Sequence, residues 1–113
     1  MMRRPVATAL ALALAACSGP ADRTSLIAEA HSAVLGAVEA PVSARFDDTH
    51  IVAFLDEGLV CGGKVNAKDA WGQYTGFDPY YYARGRGAAL PTFNSALHAT
   101  LMRECARATE GAR

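Results

Sequence analysis

The stretch LVCGGKVNAKDAWGQYTGFDPYYY, from Leu59 to Tyr82, decides the fold of this 113-residue chain. It opens with a β-rich run to Asn66 and continues with the polar segment AKDAWGQ. The aromatic segments YTGF and YYYAR follow, and the last of these extends past Tyr82 to Arg84. Apolar and aromatic runs bounded by glycine and polar residues are typical of short strands joined by loops. We expect a strand up to Asn66, then a loop, then two short strands or one strand interrupted at Asp78-Pro79.

Upstream of this stretch, the sequence predicts a β-hairpin. In THIVAFLDEGLVCG, which starts at Thr49, two β-rich runs flank Leu55 to Gly58. The Asp-Glu-Gly of the connection suits a tight turn in which Gly58 has a positive φ. The two runs are therefore expected to pair antiparallel.

Two helices are predicted outside the strands. Apolar residues recur at helical spacing from Ser25 to about Glu39, with Thr24 as a candidate cap and Pro41 as the stop. The glycine-rich GRGAALP is interpreted as a loop. A second helix is predicted after a cap at Thr92 and ends near Thr109. Its apolar face comprises Phe93, Leu97, Leu101 and Cys105.

The element order predicts an α+β domain over residues 24–113. It has an N-terminal helix, a three- to four-stranded antiparallel sheet, and a C-terminal helix, with both helices packed on one face of the sheet. A chain this short buries a small share of its surface, so the domain needs reinforcement.

The N-terminus MMRRPVATALALALAAC has the form of a secretory signal. Two arginines precede an apolar run that is too short to span a bilayer. LAAC, from Leu14 to Cys17, resembles the lipobox of bacterial lipoproteins. This resemblance implies that residues 1–16 are removed, that Cys17 carries lipid, and that residues 17–23 form a tether. Ser18, the residue after the cysteine, is not Asp and so resembles the residue at this position in Gram-negative lipoproteins of the outer membrane. The alternative is an ordinary signal with a chance cysteine.

The remaining cysteines are Cys61 and Cys105. In an oxidising compartment two thiols tend to pair, and a bridge that closes a loop of about 45 residues would stabilise the domain by about 4 kcal/mol. The alternatives are a nucleophile pair of Cys61 with His50, or a metal site with one of the histidines. No close metal-type spacing occurs, so we expect neither metal nor cofactor. His31, near the apolar helix stripe, is expected to be partly buried and hydrogen-bonded.

The central stretch also resembles a family motif. CGGKVNAKDAWGQYTGF is similar to the pattern C-G-x-V-N-A-K-x-x-x-G-x-Y-x-G-F of a family of small, uncharacterised bacterial secreted proteins and lipoproteins. The matching residues are Cys61, Gly62, Val65, Asn66, Ala67, Lys68, Gly72, Tyr74, Gly76 and Phe77. Upstream, APVSARF resembles the family's D-P-x-S-A-x-F, with Ala40 at the acidic position. The family has no established activity.

The chain departs from that motif at a doubled glycine. Gly62 and Gly63 stand where the motif has one glycine. Because strand side chains alternate between faces, one inserted residue would change whether Cys61 and Val65 lie on the same face of the sheet. Glycine tolerates the left-handed geometry of a β-bulge, so we expect a bulge here.

The loop after Asn66 is the candidate partner-binding site. It combines an amide, two opposite charges and aromatic rings, a mixture that suits a peptide or a glycan. The candidate residues are Asn66, Lys68, Asp69, Trp71, Gln73 and Tyr74. The alternative is a structural role, in which Asn66 starts a turn, Gly72 takes a positive φ and Gly76 allows close packing.

Composition and motifs narrow the function classes. With 51% hydrophobic and 19% charged residues, the chain is neither a disordered acidic protein nor a basic nucleic-acid arm. Arg84 and Arg86 in YYYARGRG are interpreted as protecting an edge strand. No catalytic residue is assigned, because no G-x-S-x-G turn occurs. We expect an outer-membrane lipoprotein that binds an envelope protein or glycan, or has a structural role; an enzyme inhibitor or a small hydrolase is the alternative.

Overall fold

The computed structural model describes residues 22–111, which form an antiparallel sheet and two α-helices. The helices are α1 (Arg23–Leu35) and α2 (Ser95–Gly111). The strands are β1 (Arg45–Asp47), β2 (Val52–Phe54), β3 (Leu59–Asn66), β4 (Asp78–Ala83) and β5 (Gly87–Ala89). The predicted α+β class is confirmed, but the sheet has five strands and not the three to four that were expected. The predicted signal, the lipidation site Cys17 and the tether up to residue 21 lie outside the described residues.

Strand β3 is the centre of the sheet. Its first half pairs with β2 and its second half with β1, while its other edge pairs with β4, which in turn pairs with β5. The predicted hairpin is confirmed, and Gly58 has a φ of 61°. YTGF is not a strand: only an isolated bridge joins Lys68 to Tyr74, and β4 starts at Asp78. GRGAALP was interpreted as a loop but contains β5.

The doubled glycine forms the expected bulge in β3. The register of β3 against β4 shifts between Val60 and Gly63. Gly62 has a φ of 83°, and a Cβ there would lie 2.2 Å from the carbonyl oxygen of His50. A Cβ on Gly63 would lie 2.3 Å from the buried ring of Tyr80. Both positions therefore require glycine, one for its backbone conformation and for space, the other for space alone.

The two helices cover opposite faces of the sheet, so the expectation that both lie on one face was wrong. Val60 and Val65 pack in a core cluster with Leu26, Ala30 and Val34 of α1. Cys61 packs in a second cluster with Leu101 and Cys105 of α2. The bulge explains this arrangement, because it moves Cys61 and Val65 to different faces. Each face is closed by one helix.

The helix boundaries differ from the predicted ones at three ends. Asp22, not Thr24, caps α1, because its Oδ1 accepts a hydrogen bond of 2.8 Å from the Ser25 N–H. Helix α1 ends at Leu35, before Pro41. Helix α2 starts at Ser95 because Leu90 and Phe93 exchange backbone hydrogen bonds and close a tight turn that includes Thr92. These backbone groups bond within the turn, so the helix does not begin at Thr92.

The predicted bridge between Cys61 and Cys105 is present. It joins β3 to α2 across 44 positions of sequence. The buried residues of α2 are Leu101 and Cys105. The disulfide is therefore a large part of the attachment of α2 to the sheet.

Polar side chains connect α1 to the sheet on the other face. The carboxylate of Glu29 accepts hydrogen bonds from the hydroxyl of Tyr82 and from Arg84, and the bonds from Arg84 lower the pKa of Glu29. His31 is partly buried, as expected, and its Nε2 lies 2.9 Å from Asp48 Oδ2, but among the described residues this Nε2 does not make the expected hydrogen bond. Neither helix within residues 22–111 is long and apolar enough to cross a membrane.

Candidate functional site

The segment between β3 and β4 lies at the end of the molecule where α1 stops. We call this region the loop end; it comprises residues 40–44, 66–77 and 90–93. Ser43 joins two of its parts, since its hydroxyl accepts a bond of 2.8 Å from the Lys68 N–H and its carbonyl accepts one of 2.9 Å from the Tyr74 hydroxyl. The two segments that resemble the family motif, APVSARF and the central stretch, are therefore in contact.

Asp69 holds the turn of the loop. Its Oδ1 accepts backbone hydrogen bonds from Trp71 at 2.8 Å and from Gln73 at 3.1 Å. The Asp69 N–H also donates to the Gln73 carbonyl at 2.9 Å. This pattern is a side-chain-supported turn, in which a carboxylate replaces missing backbone partners. Asp69 was predicted as a partner-binding residue, and one of its oxygens has a structural role.

Asn66 closes the base of the same loop. Its Oδ1 accepts a hydrogen bond of 3.2 Å from the Gly76 N–H. Gly76 has a φ of 107°, and nothing lies within 4 Å of a Cβ built on it. The expectation that Gly76 allows close packing was therefore wrong, because the requirement for glycine comes from the backbone conformation. Gly72 takes the expected positive φ, at 78°.

Tyr74 is fixed from several sides. Its hydroxyl bonds to Ser43. The guanidinium carbon of Arg45 lies 4.3 Å from the centroid of its ring, and the ammonium of Lys68 lies 5.6 Å from it. Cations over the face of an aromatic ring are attracted by its quadrupole. The half-buried Tyr74 and the side chain of Lys68 thus contact each other.

Three of the predicted site residues are exposed to solvent: Lys68, Trp71 and Gln73. The side chain of Trp71 is 87% exposed, while its backbone N–H donates a hydrogen bond to Asp69. Further exposed apolar side chains lie at the loop end: Val42, Phe77 and Phe93. Large apolar side chains usually bury a far greater share of their surface, so these exposed side chains make the loop end a candidate interaction surface.

A groove of about 260 Å³ lies beside the loop. Its apolar lining includes Val65, Leu90 and Phe93, and its carboxylates are those of Glu39, Asp69 and Asp78. Lys68 also lines it. We call it the acidic groove. Sequence reasoning did not identify Glu39, Asp78 or Phe93, because they come from three separate elements that only the tertiary structure brings together.

A second groove, of about 500 Å³, contains the disulfide. His50 and Cys61 both line it, as the nucleophile hypothesis requires. The sulfur of Cys61 is bonded to that of Cys105, so a thiolate at Cys61 is not available in the oxidised protein. Within residues 22–111, no group of three His, Cys, Asp or Glu side chains is arranged to hold a metal ion.

Comparisons of the chain with protein families, with curated proteins and with solved structures found no match. The resemblance of residues 61–77 to a family of small secreted proteins and lipoproteins therefore stays a prediction that rests on the motif residues alone.

Proposed function

We propose that this chain is a lipid-anchored binding module of the bacterial outer membrane that docks a partner protein at the loop end. The single observation that supports it most is Trp71, which is 87% exposed on a loop whose backbone is fixed by internal hydrogen bonds. A large aromatic side chain held in a rigid setting binds at low entropic cost. Exposed aromatic anchors are also typical of the energetic centre of protein interfaces.

A protein partner fits the loop end better than a glycan. Glycan recognition needs several oriented polar side chains around an aromatic face. At this loop the polar groups of Asn66, Asp69 and Tyr74 already bond to the protein itself. The side chains that remain exposed include four large apolar ones, Val42, Trp71, Phe77 and Phe93, beside the polar Lys68 and Gln73.

The position of the loop end, at the end of α1 opposite the proposed anchor, also supports docking. Only Ser18 to Asp22 would separate a lipid on Cys17 from the start of α1, and that length of chain reaches at most about 18 Å. Helix α1 has 13 residues and is therefore about 20 Å long. The loop end adjoins the C-terminal end of α1, whereas the proposed anchor adjoins its N-terminal end. The docking surface would therefore lie at the end of the domain that is farther from the anchor.

The proposal is tested by capture from detergent-solubilised envelopes with the tagged full chain. Trp71→Ala is compared with Leu55→Ala, a matched control because Leu55 is also an exposed apolar residue, 45% exposed, but lies in the β2–β3 turn. We expect one or more proteins that the wild type and Leu55→Ala capture and Trp71→Ala does not. Identical capture by all three proteins would contradict the proposal.

A further inference from the structure

We propose that the acidic groove binds a lysine or arginine side chain from an extended segment of the partner. This inference deepens the proposed function and rests on it, since the groove adjoins the loop that carries Trp71. It names the chemical class of the ligand: a cationic peptide.

The lining of the groove matches the two parts of such a side chain. Val65 and Leu90 are buried, and Phe93 adds a half-exposed ring. Lysine and arginine lay their aliphatic stems along apolar surface while the charged head stays near water and polar groups. A ring at the edge of the site can also attract the cation through its face.

The charge of the groove selects a cation. Three carboxylates line it, from Glu39, Asp69 and Asp78, against one ammonium, that of Lys68. Asp69 uses Oδ1 for the loop backbone but keeps its negative charge. The ammonium of Lys68 lies 5.6 Å from the centroid of the Tyr74 ring, which gives it a partner within the loop. An incoming cation therefore meets net negative charge on a partly apolar surface, and an incoming carboxylate is repelled.

A metal ion is a poorer occupant than a long cationic side chain. Carboxylates that bind a metal must converge on one point about 2 Å from each oxygen. The three carboxylates of the groove do not form such a cluster within residues 22–111. Carboxylates that line a groove without converging on one point instead suit a ligand whose charge is at the end of a flexible stem.

The experiment titrates the full chain, purified in detergent, with a short synthetic peptide, acetyl-Gly-Lys-Gly-Lys-Gly-amide. Two matched peptides carry acetylated lysine or glutamate at the lysine positions. Binding is followed by calorimetry and by the fluorescence of Trp71, the single tryptophan of the chain. The backbone N–H of Trp71 bonds to Asp69, but the side chain of Trp71 does not line the groove, so calorimetry is the primary readout.

A pair of double variants separates the groove from net charge. Glu39→Gln with Asp78→Asn removes two groove carboxylates, and Glu57→Gln with Asp56→Asn removes the same two residue types from the exposed β2–β3 turn. We expect saturable binding of the lysine peptide that weakens as salt rises from about 50 to about 300 mM. The groove variant should bind at least about fivefold more weakly, and the turn variant within about twofold of wild type.

Several results would overturn the inference: equal binding of the lysine and acetyl-lysine peptides, no saturable binding, or equal weakening in both double variants. If the groove variant fails to fold, the single variant Glu39→Gln, at an exposed position, is tested in its place. Partner capture that depends on Trp71 but not on the groove carboxylates would contradict this inference alone. Lysine-peptide binding without Trp71-dependent capture would instead contradict the proposed function.

Discussion

The hydroxyl of Tyr74 donates a hydrogen bond of 2.9 Å to the carbonyl oxygen of Ser43, which precedes it by 31 positions. This bond connects the loop after β3 to the short 3₁₀ turn before β1. The Lys68 N–H adds a second bond to the same serine. The loop end is thus held by the rest of the domain as well as by its own turn.

Tyr74→Phe should loosen this connection. The variant keeps the ring and its cation contacts but leaves the Ser43 carbonyl without its donor, which should cost about 1 kcal/mol. We expect the melting temperature to fall by about 4–8 °C and the Lys68 amide to exchange faster with deuterium. Gln73→Ala, at an exposed position, is the control and should change neither quantity. Unchanged exchange at Lys68 in Tyr74→Phe would show that the bond does not order the loop.

Gly63→Ala should destabilise the domain strongly. A Cβ at this position would lie 2.3 Å from the ring of Tyr80, which is fully buried and cannot move aside cheaply. Overpacking of this kind costs about 1–3 kcal/mol or more. Gly36→Ala is the matched control, because Gly36 has a φ of −74° and space for a Cβ, so it should stabilise by about 0.5 kcal/mol. Denaturant unfolding measures both, and equal stabilities of the two variants would contradict the close packing of the Tyr80 ring against Gly63.

Loss of the Cys61–Cys105 bridge should detach α2 before the rest of the domain unfolds. Helix α2 has two buried residues, and one of them is Cys105. Replacing both cysteines by alanine should cost about 4 kcal/mol. Hydrogen exchange should show the largest loss of protection in α2 and a smaller loss in α1. Alkylation of both cysteines without prior reduction, read by mass spectrometry of the wild-type protein, would contradict the bridge itself.

Cys17→Ser tests the proposed lipid anchor. If Cys17 carries lipid, the variant should stay unprocessed or appear in the soluble fraction, because a single un-lipidated tether has no membrane affinity of its own. The wild type should fractionate with membranes and carry the added mass of acyl chains. Unchanged mass and membrane fractionation in Cys17→Ser would contradict lipidation.

The sequence predicted the centre of the sheet well because local chemistry decides it. Gly58 has the expected positive φ in the hairpin turn, and the doubled Gly62-Gly63 forms the expected bulge. Strand β5, at one edge of the sheet, was missed for a physical reason. Strand β5, with the sequence Gly-Ala-Ala, has no β-branched or aromatic residue, so its pairing comes from its neighbour β4 and not from its own propensity.

The candidate site was predicted only in part. Exposed Trp71 stands where the sequence suggested a surface, but side-chain composition alone could not show that Asp69 and Asn66 bond to the loop backbone. Ser43 had a signal, since APVSARF resembles part of the family motif. No sequence pattern indicated the acidic groove, because its carboxylates come from separate parts of the sequence.

The most direct test of the central claim is photo-crosslinking in living cells with a photoreactive amino acid at position 71 or, as the control, at position 55. Both native side chains are exposed, Trp71 at the loop end and Leu55 in the β2–β3 turn. If the loop end docks a partner, position 71 should yield a discrete adduct of higher mass that position 55 does not. No adduct at position 71, or the same adducts at both positions, would contradict the account.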